Sequence, residues 1–253
     1  MYYRFAITLI LLWMSPAYAT PNLCPSLTSN QAVPDILGIA THLQSGENLY
    51  CEYHFVSDDK KTVVDYIDFN QQLIARKYLD YSLGEKTPLV KQQDFRHGEL
   101  RAVTLTQGDD AQQSQLTIQY RKANTDETST SQLAFSDSLV IDAGFDAAVR
   151  QQWNALVNGE AIQVDFVSPV HLKSFKLSIV QSQSRKCKQQ LSGNDQGLCF
   201  LIRPANALAR LFVKPLVLIY DQSSQRLLSY TGSVNITSLE GASKRARIEY
   251  HYN

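Results

Sequence analysis

The stretch AIQVDFVSPVHLKSFKLSIV, residues 161–180, decides the fold class. In its first half Ile162, Val164 and Phe166 alternate with Gln163 and Asp165. After Pro169, Phe175, Leu177 and Ile179 alternate with Lys176 and Ser178. A period of two sends successive side chains to opposite faces, so both halves read as half-buried antiparallel strands. The segment just before them has the other period. Phe145, Val149, Trp153 and Leu156 form one stripe of a helix over Phe145–Asn158, with Arg150, Gln151 and Asn154 off it. Asp142 and Asp146 flank its start, where capping and the helix dipole explain them, and Gly159 follows as a stop.

Working outward, Leu198–Arg203 is expected to pair back across a polar cysteine loop, and Pro204 to open a short helix over Ala205–Phe212. Leu216–Asp221 and Arg226–Thr231 read as a hairpin. In the closing strand, Lys244–Tyr252, Ala246, Ile248 and Tyr250 face inward. Toward the N-terminus, Lys122–Ser131 is rich in Thr, Ser and Asp and reads as a loop; weaker strands are expected at 115–121, 100–106 and 89–95. Leu73–Tyr81, Thr62–Phe69 and Tyr50–Val56 are stronger, with Val63, Ile67 and Phe69 placed on one face. Residues 20–47 read as an arm with one helical turn at Ile36–Ile39, and residues 48–253 as a single β-rich domain. The expected fold is mainly β, with about eleven strands. They form a strongly curved antiparallel sheet or an incomplete β-barrel, with the amphipathic helix against its concave face. A β-sandwich is the alternative, with a less natural place for the helix.

Composition agrees with a folded domain and removes several functions. The chain has 253 residues, 44% hydrophobic and 19% charged, with 24 basic and 24 acidic side chains and a pI near 7. It is too apolar for a disordered chain and lacks the basic surplus of non-specific nucleic-acid binding.

Residues 1–19 carry an export pattern: Arg4, an apolar run from Phe5 to Met14, then Pro16 and the small-x-small site Ala17-Tyr18-Ala19. The run is too short to span a bilayer, which needs roughly 20 residues. Cleavage after Ala19 is expected, with a periplasmic product that has no integral membrane anchor. Cys24 follows Pro21, Asn22 and Leu23, which is not a lipid-attachment context. In an oxidising compartment four cysteines read as two disulfides. Three pairings exist; spacing favours Cys187 with Cys199, leaving Cys24 with Cys51.

Nothing in the sequence marks a catalytic or cofactor site. GxSxG, P-loop, GxGxxG, HExxH and CxxC motifs are absent, and His42, His54, His97, His171 and His251 never stand at metal-ligand spacing beside a cysteine. No cofactor is expected. Asp65, Asp68 and Asp80 read as charges at strand ends and on solvated faces. Lys173, Lys176, Arg185, Lys186 and Lys188 read as a basic edge that protects a strand from stray pairing.

Three segments carry a resemblance: Val140–Glu160 (VIDAGFDAAVRQQWNALVNGE), Pro215–Ile236 (PLVLIYDQSSQRLLSYTGSVNI) and Leu73–Ser82 (LIARKYLDYS). Together they resemble a family of exported bacterial proteins of unknown function, which implies no catalytic residues. The element order is also similar to that of the periplasmic lipoprotein carriers, whose unclosed barrel holds acyl chains beneath helices; that likeness is architectural, and fold does not fix function. The expected function is non-enzymatic binding or carriage of an apolar, lipid-like ligand. Candidate cavity residues are Phe145, Val149, Trp153, Phe166, Phe175 and Leu177. The alternatives are a cell-envelope interaction module with a filled core, or a hydrolase whose polar residues converge only in the folded chain.

Overall fold

Strands with one apolar face must bury it against another layer, and here a single sheet does so by curling over itself. The computed structural model describes residues 24–25, 32–106, 114–191, 196–211 and 213–253. The expected signal segment, most of the arm before residue 32, the loop at 107–113, the tip of the cysteine loop at 192–195 and Phe212 lie outside them.

The first run of strands is β1 (Ile36–His42), β2 (Asn48–Ser57), β3 (Lys61–Ile67), β4 (Leu73–Asp80), β5 (Leu89–Asp94), β6 (Leu100–Thr106), β7 (Gln115–Arg121) and β8 (Thr128–Ala134). After β9 (Leu139–Ile141) come α1 (Gly144–Gln151) and α2 (Trp153–Val157). The second run continues with β10 (Ile162–Ser168), β11 (Lys173–Gln181), α3 (Arg185–Leu191), β12 (Gly197–Pro204), β13 (Leu216–Asp221), β14 (Leu227–Ser233) and β15 (Arg245–Tyr252). All fifteen described strands form one sheet, in the order β8-β7-β6-β5-β4-β3-β2-β1-β15-β14-β13-β12-β11-β10-β9. Pairing is antiparallel except between β9 and β10, whose parallel link is made through α1 and α2.

This order dictates the curvature. The outermost strands, β8 and β9, are consecutive in the chain, and only residues 135–138 lie between them. Laid flat, fifteen strands at roughly 4.8 Å spacing would separate them by about 65 Å. The link reaches at most about 18 Å, at roughly 3.5 Å per residue. The sheet must therefore roll until its edges meet. Leu139, Ile141 and Val167 pack into one cluster with Val90, Val103, Leu116 and Ile118, so the β9–β10 edge lies over the inner face of β5–β7. Lys86, between β4 and β5, latches the seam. Its carbonyl accepts from the Ile141 amide at 2.9 Å, and its ammonium donates to the Asp137 carbonyl at 2.9 Å. Gly144 faces that same carbonyl, and a Cβ there would sit 2.0 Å from the Lys86 oxygen.

The helices occupy both sides of the second run. Val149, Trp153 and Leu156 pack with Val164, Ile179, Phe200, Ile202, Leu218 and Tyr220 on the concave side. Gln152 (φ −108°, ψ 18°) divides the expected single helix into α1 and α2. Gly159 (φ +87°) ends the second, in the left-handed conformation that favours glycine, and the Glu160 amide closes back on the Ala155 carbonyl at 2.9 Å. On the convex side α3 is held by Cys187–Cys199 and covers Val217 and Ile219. β13 is thus buried on both faces, which explains its unbroken apolar sequence.

Several expectations need correction. Ile36–His42 is not a helical turn in an arm but β1, at the centre of the sheet, because β2 and the distant β15 both pair with it. The polar tract near Lys122–Ser131 gives way to β8, an edge strand with no apolar alternation to display because most of it is exposed. The cysteine loop contains α3 rather than a bare hairpin loop. β11 lies between β10 and β12, so Lys173 and Lys176 protect no edge, while Arg185, Lys186 and Lys188 lie on α3. Pro204 ends β12, and a single 3-10 turn at Ala209–Leu211 replaces the expected helix. Thr62, Val64 and Tyr66, not Val63 and Ile67, are the buried set of β3.

Candidate functional site

Rolling the sheet leaves a central cavity of about 360 Å³. Its two walls differ in chemistry. The wall from the second run is mostly apolar: Phe166, Leu177, Ile202, Leu216 and Leu218, with Tyr220 among them and Phe145 and Asp146 of α1 beside them. The wall from β1–β4 and β15 carries Glu52, His54, Lys77, Tyr66 and Tyr250 among Val64, Leu79 and Ile248. Strand β2 marks the depth. Val56 is 55% exposed, His54 is half-buried, and Glu52 is 6% exposed.

The polar side chains of one end are tied to each other and to the connection between β14 and β15. Lys77 Nζ donates to Asp142 Oδ1 at 2.7 Å, and Asn235 Nδ2 donates to Asp142 Oδ2 at 3.2 Å. Arg101 donates to Asn235 Oδ1 at 3.0 Å and to Glu99 Oε1 at 2.7 Å. Thr237 donates its hydroxyl proton to Glu99 Oε2 at 2.8 Å, so it accepts from His97 Nε2 at 3.1 Å. His97 Nδ1 faces the Glu99 amide at 3.4 Å, and its Nε2 also lies 3.3 Å from Asp94 Oδ2. Arg96 bridges Asp94 and the Thr237 carbonyl, at 2.6 and 2.8 Å. These bonds pin the 234–237 segment as a plug across the lumen, with Val234 and Ile236 anchored in the core.

Beside this paired network, Glu52 stands apart. Its Oε2 meets His54 Nε2 at 3.2 Å and the Tyr250 hydroxyl at 3.5 Å. Gly38, between Glu52 and Tyr250 in the ladder, permits that approach: a Cβ there would lie 3.1 Å from the Tyr250 ring and 3.2 Å from Glu52 Cβ. Burial, and after it the Glu52 charge, pushes the Tyr50 and Tyr66 phenols well above their ordinary value. Tyr250 is raised by the same two causes in the same order. Burial likewise raises Tyr81 and Tyr252 to about 12. The Tyr220 hydroxyl, raised first by burial and then by Asp146, forms no hydrogen bond of ordinary geometry.

Of the residues expected to form a cavity, Phe145, Phe166 and Leu177 line this one, with Phe145 and Phe166 ring centroids 5.1 Å apart. Val149 and Trp153 are buried in the seam between helices and sheet, where Trp153 meets Phe200 and Tyr220 edge-on. Phe175 meets His171 edge-on and lies beneath the Lys173 ammonium, away from the lining. Both expected cysteine pairs are joined, with Cα–Cα distances of 6.0 Å for Cys24–Cys51 and 5.7 Å for Cys187–Cys199. Asp142, expected as a helix cap, is the carboxylate partner of Lys77. Asp65 pairs with Arg76, and Asp68 and Asp80 accept from turn amides. Among the described residues no helix is long and apolar enough to cross a membrane, and no group of three or more potential ligands gathers for a metal ion.

No protein-family model matches the sequence, and no curated protein matches it. Among solved structures, the chain is similar to a β-barrel-like protein of domain of unknown function DUF1849 from Brucella abortus. The two share 9% identity over 88% of this chain and 98% of that chain, at a TM-score of 0.29. A likeness that distant carries no residue roles across.

Proposed function

We propose that this chain is an exported, non-enzymatic binding protein that takes an elongated apolar molecule into its central cavity. The cavity itself carries the reading: about 360 Å³, with one wall of aliphatic and aromatic side chains. Ligand pockets span roughly 300–1,000 Å³ and combine apolar walls with a few placed polar groups. Export is supported by the pattern at residues 1–19 and by two disulfides, which persist in oxidising compartments. A non-catalytic role is supported by the commitment of ionisable groups to structural pairs: Lys77 with Asp142, Arg101 with Glu99, and Asp146 with Arg150.

The test is titration with an environment-sensitive acyl probe, competed by unlabelled lipid. Saturable, displaceable binding is expected, and Val64→Phe, which grows a ring into the lumen, weakens it at least about tenfold, a loss of roughly 1.4 kcal/mol. Absence of saturable binding to the folded wild type would overturn the carrier reading and leave the interaction-module reading ahead.

A further inference from the structure

Resting on that carrier reading, we propose that the ligand's polar end is a cationic nitrogen, an ammonium received by Glu52. Three carboxylates are buried among the described residues: Glu52, Asp94 and Glu99. Asp94 is held by the Arg96 guanidinium and Glu99 by that of Arg101. Glu52 has no such permanent cation. Its ionisable partner is His54, which is charged only when protonated. Its Oε1 accepts no hydrogen bond among the described residues. Lys77, the lysine on the same wall, is already committed to Asp142 at 2.7 Å.

A carboxylate buried without a permanent counter-cation is costly, and a positively charged ligand would offset that cost. Its surroundings suit that charge. Tyr66, Tyr230 and Tyr250 share the lining with Glu52, and aromatic faces attract cations through their negative quadrupole. The Tyr66 ring already has the Lys77 ammonium 5.9 Å from its centroid. An ammonium head against Glu52 would direct the tail along the apolar wall of Leu177, Leu216 and Leu218 toward exposed Val56. A fatty-acid head at the same place would set one carboxylate against another.

The experiment is displacement of a neutral naphthylamine dye from the wild-type protein by dodecylamine, dodecanol and dodecanoate, each below its micellar range. Dodecylamine is expected to compete at least about tenfold more tightly than either of the other two, in line with a charge-assisted hydrogen bond. Glu52→Gln, checked for an unchanged circular-dichroism spectrum, brings the ratio of amine to alcohol affinity close to one. Equal displacement by all three chains, or tighter binding of dodecanoate, in the wild type would overturn the head-group inference and leave the carrier reading standing. The wild-type series decides this even if the variant fails to fold. If none of the three displaces the dye, both readings fall together.

Discussion

Lys77 and Asp142 show what one pair contributes when its side chains are 8% and 20% exposed. Removing one partner of such a pair leaves the other charge buried, at a cost of about 3–5 kcal/mol. Lys77→Met is therefore expected to lower unfolding free energy by about 3 kcal/mol, read by urea denaturation. The lining tyrosines set a limit at high pH. Their folded pKa values lie above the ordinary value of 10, so the native state keeps protons that the unfolded chain gives up. Stability is then fully present below pH 10 and falls as pH rises beyond it. Tyrosinate absorbance in an alkaline titration should lag until the protein unfolds; full ionisation with the fold intact would count against their burial. Phe145, Phe166 and Leu177 were legible because each belongs to a clean local period. Glu52, Lys77 and Asp142 were not. Their meeting depends on strand register and on the rolling of the sheet, which no local spacing encodes.

At the scale of elements, Trp153 is the largest side chain in the seam between α1–α2 and β10–β13. Trp153→Ala is expected to cost about 3–5 kcal/mol in denaturant melts. A loss under about 1 kcal/mol would place the ring in solvent instead. Helix α3 is seven residues long, too short to persist unaided, and the Cys187–Cys199 bond ties it to β12. Closing a loop of that size stabilises by about 3 kcal/mol on the chain-entropy view. Selective reduction should thus expose α3 to limited proteolysis before any other described helix. The amphipathic helix and the strands beside it could be read from periodicity. β1 and β8 could not, for opposite reasons: β1 is a short apolar run whose second partner, β15, lies some two hundred residues away, and β8 carries almost no buried face.

At the scale of the molecule, closure rests on the Lys86 latch as well as on packing across the seam. Gly144→Ala drives a methyl into the Lys86 carbonyl, which is backbone and has little freedom to move. We expect a loss of at least about 2 kcal/mol, of the size seen when a core is overfilled. Faster hydrogen exchange at the Ile141 amide, which donates to that carbonyl, should accompany it. Unchanged exchange at Ile141 would show that packing alone holds the edges together. The curvature was expected from the number of strands and the single helix, whereas its cause, a short link between the two outermost strands, emerges only from the strand order.

The same order sets a timetable. Apart from the parallel β9–β10 link, each half of the sheet is a meander whose neighbours are close in sequence, so its hairpins can form early. The junction between β1 and β15 is different: Ile36 waits for Tyr252. Until β15 arrives, β1 and β14 both present open edges in the middle of what will be the sheet, the situation that invites pairing with another molecule. Trimming β15 should therefore be far more harmful than trimming a strand of similar length from the rim. The sheet is held in two unfinished halves until β15 docks between them.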